Sequence, residues 1–422
     1  MILKRTRAKN WFSTPAPATV SAALLFGLIL LPGLAASKPP HKHIYTVLHR
    51  FHGGDGASPV AGLIQDQSGN FYGTTWSGGR FDYGTVFKLE PSGKETVLHS
   101  FDGADGMNPM GGVVLDASGN LYGTTTNGGT REGGGCTHGC GTVFRIDRAG
   151  KYTVMHAFTG KGDGGTPSTN LILDSAGNLY GTASSGGDFH GYCTFSGSCG
   201  LVFKLDPHGN ETVLYTFTGS PDGARPLGGL VRDEAGNLYG TTYFGGSSGF
   251  YGTVFNLDSA GVETILYNFS DGTDGAGPRG TLVRDASGNL YGVTRSGGDP
   301  VQNCTSGSWK GCGVVFKLDS SGKETTLYAF TDQRDQSFPN GGLLRDGAGN
   351  LYGTDGFPGT VFKLDVNGKE HVLHTFQAQT GVLPLAGMIM DSAGNLYGTT
   401  SQGGNSGCPS QYGCGVVFKL TP

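Results

Sequence analysis

Short runs of apolar and β-branched residues recur along the chain after residue 40, each bounded by Gly, Asp, Asn or Pro. In the first repeat these runs are 62–66, 70–75, 84–89 and 96–101, and we call the corresponding segments of every repeat A, B, C and D. Their length and composition predict β-strands, and no amphipathic helical pattern of useful length accompanies them. Turn residues join A to B and C to D, so each repeat is predicted to be a four-stranded antiparallel meander.

Segment B has the sequence Asn-Leu-Tyr-Gly-Thr-Thr, with small variations, in seven places. Its glycine is Gly73, Gly123, Gly181, Gly240, Gly292, Gly353 and Gly398, which gives a period of 45 to 61 residues. Seven units of this size are typical of a β-propeller in which each unit forms one blade. The predicted blades are 60–101, 110–158, 168–217, 227–269, 279–330, 340–376 and 385–422.

The strand count predicts that the ring is closed. The last repeat has no segment D, while a single D-like segment, 45–51, precedes the first repeat. Pairing 45–51 with the final C segment, 415–420, completes the seventh blade and removes two unpaired strand edges, which favour aggregation. The predicted fold is therefore all-β, a closed seven-bladed propeller over 45–422.

The N-terminal segment differs in composition from the repeats. Four basic residues within the first nine positions precede the apolar run 20–34, which small residues follow. This order is typical of an export signal, so we predict a signal peptide at 1–36, a linker at 37–44, and a secreted or periplasmic protein with no membrane segment after cleavage. A retained membrane anchor is the alternative, because the run approaches the roughly 18 residues that span a bilayer.

Eight cysteines form four local pairs in the B–C connections. These are Cys136/Cys140, Cys193/Cys199, Cys304/Cys312 and Cys408/Cys414. An even number of closely spaced cysteines in an exported chain indicates disulfides. A zinc site needs four converging ligands, which the pairs do not provide, so no metal is predicted.

The overall composition excludes one class of partner. The 422 residues include 78 glycines, only 15% are charged, and the formal net charge is −4. A nucleic-acid-binding surface requires clustered positive charge, so no nucleic-acid partner is expected. Separately, the mature protein is predicted to be a monomer.

The B–C connections are the segments in which the repeats stop resembling one another. Those with cysteines contain 15, 16, 18 and 14 residues, and the others contain 8, 9 and 3. Variable loops on a rigid scaffold are where binding residues concentrate, and aromatic rings beside Ser, Asn and Gly suit an extracellular glycan or protein. The candidate contacts are Trp76, Tyr83, Tyr192, Tyr243, Phe244, Tyr251, Trp309 and Tyr412, and Phe81 and Phe250 lie in the same loops. Packing between neighbouring loops is the alternative role of these rings.

One charged position distinguishes three successive repeats. Arg232, Arg284 and Arg345 precede the aspartate that ends segment A, where the other repeats have uncharged residues. Segment A is expected to line the central channel, so these guanidiniums are candidates to bind a carboxylate or phosphate. Ion pairing with neighbouring aspartates is the alternative.

No catalytic constellation is evident in the linear sequence. GxSxG and HExxH motifs are absent, and the histidines of the long loops, His138 and His190, are solitary. Side chains of distant blades can still converge, so catalysis is disfavoured and not excluded. No catalytic residue and no cofactor is predicted.

The complete repeat, with its parts GGL, DxxGNLYGTT, GTVFKLD and GKE, resembles the GloVer (Gloeo/Verruco) tandem repeat of exported bacterial proteins over essentially all of 45–422. More remotely, the DxxGNLY hairpin is similar to that of NHL-type propellers and of propeller lactonases and lyases. The GloVer resemblance implies an extracellular or surface protein and brings no catalytic residues. Members often end in a sorting anchor, whereas this chain stops at Pro422, so a freely secreted or periplasmic protein is expected.

The sequence favours a secreted binding module that recognises an extracellular glycan or protein with the B–C loops. The first alternative is a lyase or lactonase-like enzyme with its site at the mouth of the channel. The second alternative is a structural envelope protein.

Overall fold

The structure is a computed structural model, and it describes residues 43–129, 136–187, 193, 198–247, 250–298, 304–306, 309–331, 338–356, 359–404, 408 and 411–422. The predicted signal peptide, 1–36, and most of the predicted linker, 37–44, lie outside these residues. Within the described ranges every regular element is a β-strand. No helix in those ranges has the length and hydrophobicity needed to cross a bilayer.

The described strands form seven antiparallel blades with the order A-B-C-D. In blades 1 to 7, strand A is Ile64–Gln65, Val114–Leu115, Ile172–Leu173, Val231–Arg232, Val283–Arg284, Leu344–Arg345 and Ile389–Met390. Strand B is Phe71–Thr75, Leu121–Thr125, Leu179–Ser185, Leu238–Thr242, Leu290–Ser296, Leu351–Asp355 and Leu396–Thr400. Strand C is Thr85–Leu89, Thr142–Ile146, Leu201–Leu205, Thr253–Leu257, Val314–Leu318, Thr360–Leu364 and Val416–Thr421. Strand D is Glu95–Ser100, Tyr152–Ala157, Glu211–Thr216, Glu263–Asn268, Glu324–Ala329, Glu370–Thr375 and Ile44–Arg50.

Three short additions accompany the blades. Gly165–Pro167 and Ala276–Pro278 pair with strand B of blades 3 and 5, ahead of strand A. Thr305–Ser306 and Trp309–Lys310 form a small hairpin within the B–C connection of blade 5. The sequence did not predict these elements, because they belong to the segments that differ between repeats.

Pairing of the two ends closes the ring, as predicted. Ile44–Arg50 runs antiparallel to Val416–Thr421, with Ile44 opposite Thr421 and Arg50 opposite Val416. The amide of Phe51 then donates to the carbonyl oxygen of Gly415 at 3.1 Å, as the amide of Phe101 does to Gly84. The N-terminal strand therefore takes the place of strand D in blade 7, and the prediction of a closed seven-bladed propeller is confirmed.

A pair of phenylalanines joins each blade to the next. The phenylalanine after strand D packs edge-on against the phenylalanine of strand C in the following blade, with ring centroids 5.1 to 5.5 Å apart. The seven pairs are Phe51–Phe87, Phe101–Phe144, Phe158–Phe203, Phe217–Phe255, Phe269–Phe316, Phe330–Phe362 and Phe376–Phe418. All these rings are buried. The core therefore lies between blades rather than within any one of them.

The glycine of strand B makes room for this packing. A Cβ atom at Gly73 would lie 2.7 Å from Cζ of Phe87, and one at Gly240 would lie 2.6 Å from Cζ of Phe255. Carbon atoms cannot approach this closely without displacing the ring. The strand-B glycine recurs because the strand-C phenylalanine lies directly over it.

Strand A is shorter than the predicted segment, with two paired residues instead of the five in 62–66. The residues before it lie against the equivalent residues of neighbouring blades around the channel. A Cβ atom at Gly112 would lie 2.8 Å from the carbonyl oxygen of Gly62, and one at Gly62 would lie 3.2 Å from that of Gly387. Close approach of these backbones around the channel, and not ladder pairing, accounts for the glycines in this part of the repeat.

Replacing Phe51 with alanine tests closure of the ring. We expect Phe51→Ala to lower the free energy of unfolding by about 3–5 kcal/mol, because a fully buried ring is lost and leaves a cavity. Phe217→Ala, at the equivalent position between blades 3 and 4, is the matched reference and should cost a similar amount. Denaturant unfolding of both variants measures this. A neutral effect of Phe51→Ala beside a costly Phe217→Ala would show that the N-terminal strand is not part of the ring.

Candidate functional site

The B–C and D–A connections lie together on one side of the propeller. Isolated β-bridges join them within single blades, pairing Ala57 with Ser77, Met107 with Asn127, Ala224 with Phe244 and Val382 with Gln402. We call this side the loop face, and we call the side formed by the A–B and C–D turns the turn face.

Backbone hydrogen bonds attach six of the B–C connections to the next blade within the described residues. In four junctions the acceptor is the carbonyl oxygen of the second cysteine of a pair: Cys414 from Ser58 N at 2.8 Å, Cys140 from Thr166 N at 2.7 Å, Cys199 from Arg225 N at 2.7 Å, and Cys312 from Phe338 N at 3.2 Å. All four predicted disulfides are formed. Each long connection is therefore closed by a disulfide at the point where it meets the following blade.

The exposed aromatic side chains are concentrated on the loop face. Among the described residues, five large aromatic side chains are exposed, and all five belong to B–C connections: Trp76 at 41%, Phe81 at 45%, Tyr83 at 36%, Phe250 at 41% and Tyr412 at 61%. The other exposed large hydrophobic side chains in the described ranges are aliphatic. Trp76, Tyr83 and Tyr412 thus lie where a ligand can contact them.

The remaining predicted aromatic contacts differ in position. Tyr243, Phe244 and Tyr251 are partly buried; Phe244 packs against the core between blades 3 and 4, and Tyr251 packs against the core between blades 4 and 5. These two rings fill space between elements, which is the alternative role considered for them. Tyr192 lies outside the described residues. The backbone of Trp309 lies in the small hairpin of blade 5, and its side chain is outside the description.

The three arginines singled out from the sequence lie beside the A–B turns. Each guanidinium lies over the strand-B tyrosine of the preceding blade: Arg232 over Tyr180 at 5.6 Å, Arg284 over Tyr239 at 5.3 Å, and Arg345 over Tyr291 at 5.6 Å. Arg284 also lies 4.0 Å from a carboxylate oxygen of Asp233. Stacking and ion pairing between blades thus engage these side chains on the turn face.

A cavity of about 390 Å³ occupies the centre of the ring on the side of the loop face. All seven blades contribute to its wall, which consists largely of glycine backbone and of the residue after the proline that precedes strand A. That residue is Val60, Met110, Ser168, Leu227, Arg279, Asn340 or Leu385. Arg225 also lines the cavity, and no carboxylate does so among the described residues.

Arg279 is one of two arginines in the wall of this cavity. Its Nη1 donates to Oδ1 of Asn340 at 3.3 Å. Burial lowers the pKa of Arg279 below its usual value, and the positive charges of Arg295 and Arg225 lower it further, while Tyr243 acts in the opposite sense. The guanidinium of Arg225 lies 5.7 Å from the ring of Phe244. These arginines occupy inequivalent positions of the repeat, so the sequence pattern does not predict their proximity.

One protein-family model matches the repeats across the chain. The model described as the Gloeobacter/Verrucomicrobia repeat matches residues 36–196, 129–304 and 301–422. This chain belongs to that family. The resemblance seen in the sequence is thereby confirmed. Among curated protein sequences, none matches this family member.

Solved structures share the fold of this family member at low sequence identity. A catalytically inactive variant of virginiamycin B lyase from Staphylococcus aureus with quinupristin has a TM-score of 0.59 and 12% identity, over 90% of this chain and 99% of that chain. The extracellular domain of a putative hybrid two-component system from B. thetaiotaomicron has a TM-score of 0.54 and 14% identity, over 88% of this chain and 39% of that chain. These similarities show the propeller fold.

Aspartates of the D–A connections hold side chains of strand D. His49 pairs with Asp55 at 3.1 Å and His99 with Asp105 at 2.7 Å, while tyrosine hydroxyls donate to the equivalent Asp222 and Asp274 at 2.7 and 3.0 Å. The ligand atoms of His49, Asp55 and Glu95 lie within 4.8 Å of one another, a set that could hold a metal ion. Because tyrosine replaces histidine in other blades of this family member, the contact is explained as a structural feature of the repeat.

Glutamates at the start of strand D are poised to titrate near neutral pH. Burial raises the pKa of Glu211 to about 7, while the charge of His156 opposes this rise and that of Asp163 adds to it. Burial likewise raises the pKa of Glu95 and of Glu263 to about 7. Deprotonating these carboxyl groups therefore opposes folding as the pH rises.

Replacing Glu211 with glutamine tests this pH dependence. The pKa of Glu211 is higher in the folded chain than the usual 4.5, so its favourable contribution is complete below about pH 4.5 and is lost as the pH rises through about 7. We expect Glu211→Gln to raise the melting temperature at pH 8 and to change it little at pH 5.

Thermal unfolding of Glu211→Gln and wild type at both pH values measures the effect. Glu234→Gln, at an exposed position of the turn face, is the control and should behave alike at the two pH values. A lower melting temperature of Glu211→Gln at pH 8 would contradict the assignment.

Proposed function

We propose that this protein is an exported binding module that recognises an extracellular glycan through its loop face. The observation that carries the proposal is the confinement of the exposed aromatic rings to the B–C connections. Exposed rings beside glycine and serine offer flat apolar surfaces with polar borders, which suit the alternating apolar and hydroxyl-bearing faces of a sugar. Elsewhere on the described surface, the large exposed hydrophobic side chains are aliphatic.

The B–C connection of blade 1, residues 76–83, is the strongest part of this surface. It contains three of the five exposed rings, those of Trp76, Phe81 and Tyr83. Asp82 accepts a hydrogen bond from the amide of Gly78 at 2.8 Å, and Gly84 donates to the carbonyl oxygen of Gly78 at 3.0 Å.

The next blade also holds this connection in place. Nδ2 of Asn108 donates to the carbonyl oxygen of Trp76 at 2.9 Å, and the amide of Asn108 donates to that of Tyr83 at 2.8 Å. A loop fixed in this way loses little conformational entropy on contact with a ligand. The backbone that carries the three rings, which we call the aromatic platform, is therefore pre-organised.

The disulfides support export. Four disulfides within the described residues suit an oxidising compartment outside the cytoplasm. The N-terminal pattern over 1–36 supplies the export signal in this proposal, and the mature chain is expected to act as a soluble monomer.

The composition of the channel mouth disfavours the lyase or lactonase alternative. General acid and base catalysis most often uses His, Glu or Asp within hydrogen-bond reach of the substrate. In the described part of the chain, no histidine, glutamate or aspartate lines the central cavity. Binding is therefore favoured over catalysis at this position.

Screening the purified mature chain on a glycan array tests the proposal. We expect binding to at least one glycan and a loss of about tenfold or more in affinity for Trp76→Ala, as is usual for an aromatic residue that dominates an interface. Val366→Ala is the matched control, because Val366 is an exposed apolar residue of the turn face, and it should bind as wild type does.

Circular dichroism verifies that both variants are folded. An array without binding, or equal binding by Trp76→Ala and wild type, would contradict glycan recognition by the loop face. Aromatic-dependent binding to a protein instead of a glycan would replace the proposed ligand class.

A further inference from the structure

We propose that Arg225 and Arg279, reinforced by the positive charge of the neighbouring Arg295, form a binding site at the mouth of the channel for an oxyanion group, namely a carboxylate, sulfate or phosphate. This site goes beyond the proposed glycan-binding role, because its residues belong to blades 4 and 5, whereas the aromatic platform belongs to blade 1. It also differs from the sequence-based proposal of an anion site at Arg232, Arg284 and Arg345.

The three arginines come from inequivalent positions of the repeat. Arg225 precedes the proline before strand A of blade 4, Arg279 follows the corresponding proline of blade 5, and Arg295 lies in strand B of blade 5. Arg225 and Arg279 both line the cavity. Arg295 lies behind the cavity wall: its guanidinium is 5.9 Å from the ring of Phe338, two residues before the Asn340 that accepts from Arg279. Its positive charge acts on Arg279 together with that of Arg225.

No protein carboxylate neutralises this cluster in the described part of the chain. None of its aspartate or glutamate oxygens lies within 4.0 Å of a guanidinium nitrogen of the three residues, in contrast to Arg284 with Asp233. Arg279 has a neutral partner, the amide oxygen of Asn340. A partly buried guanidinium without an opposite charge is costly to keep in a fold. A bound anion would supply that charge.

Hydrogen-bond donors and hydroxyl groups without a partner also favour a bound anion at this site. Oγ of Ser168, a residue that lines the cavity from blade 3, is buried and has no hydrogen-bond partner. A guanidinium has five N–H donors in a planar fork, so Arg279 retains donors beyond the one that Asn340 uses. Planar guanidinium groups match the two oxygens of a carboxylate or the edge of a sulfate or phosphate.

The scaffold of the propeller does not require these arginines. At the position of Arg279, the other blades have Val60, Met110, Ser168, Leu227, Asn340 and Leu385. At the position of Arg225 they have Ser58, Asn108, Thr166, Gly277, Phe338 and Leu383. At the position of Arg295 they have Trp76, Thr126, Ser184, Tyr243, Gly356 and Ser401. All three positions tolerate uncharged residues, so structural need does not explain why the positive charges occur together at one junction.

The size of the cavity limits the ligand. A volume of about 390 Å³ lies within the range of roughly 300–1,000 Å³ that is usual for small-molecule pockets. It exceeds the space needed for a bare ion and admits a single acidic sugar. The site therefore suits either a free inorganic oxyanion or the acidic end of a larger ligand.

Isothermal titration calorimetry of the full mature chain tests the site. The probes are sodium sulfate, sodium phosphate and sodium glucuronate at constant ionic strength, with glucose as the neutral control. We expect binding of at least one anion and no binding of glucose. Tighter binding of glucuronate than of sulfate and phosphate identifies an acidic sugar as the ligand, and the reverse order identifies a free inorganic anion.

Two variants and one control assign the binding to the cluster. Arg279→Gln should weaken the anion affinity about tenfold or more, equivalent to about 1.4 kcal/mol, whereas Arg232→Gln, on the turn face, should leave it unchanged. If Arg279→Gln does not fold, Arg225→Gln replaces it, because Arg225 is exposed and its loss should be tolerated.

Binding of no anion, or equal anion binding by the folded cluster variant and wild type, would overturn the proposal. Trp76→Ala separates this inference from the proposed glycan recognition. Retained anion binding by that variant supports two independent sites, whereas loss of anion binding in it would contradict a site confined to the arginine cluster.

Discussion

The contact between a phenylalanine after strand D and the strand-C phenylalanine of the next blade is the interaction on which the rest of this structure depends. It occurs at all seven junctions with nearly the same geometry, and the strand-B glycine beneath the second ring makes it possible. A single blade has only a few short strands and buries little surface by itself. Stability therefore comes from the junctions, and a junction left open would expose two apolar faces.

Closure at the seventh junction creates the features that matter for function. Once Ile44–Arg50 pairs with Val416–Thr421, the strand-A backbones surround one channel, and residues of all seven blades line its cavity. The same arrangement places the variable connections on one face, where disulfides and hydrogen bonds to the next blade hold them. Rigidity of the repeated part thus permits variation in the loops without loss of the fold.

The repeats made the fold predictable, and they also explain what was missed. Seven copies of one pattern revealed the strands, the turns and the closing strand, since each copy supports the others. Strand A was predicted too long, because the glycines before it make close backbone contacts around the channel and do not pair with strand B. The sequence drew attention to Arg232, Arg284 and Arg345 because they occupy equivalent positions of successive repeats. Equivalent positions are separated by a whole blade, so these arginines do not form one cluster. Arg225, Arg279 and Arg295 converge because their positions are not equivalent, and only the ring geometry reveals such a cluster.

Channel, cavity and loop face all require the ring to be closed in solution by its N-terminal strand. Native-state hydrogen exchange of the intact mature chain measures this most directly, because exchange protection reports the opening of individual strands. A closed ring predicts that the paired amides of Ile44–Arg50 exchange as slowly as those of Glu263–Asn268, the strand D of blade 4. Rapid exchange of Ile44–Arg50 beside slow exchange of Glu263–Asn268 would show an open array and contradict the closed propeller.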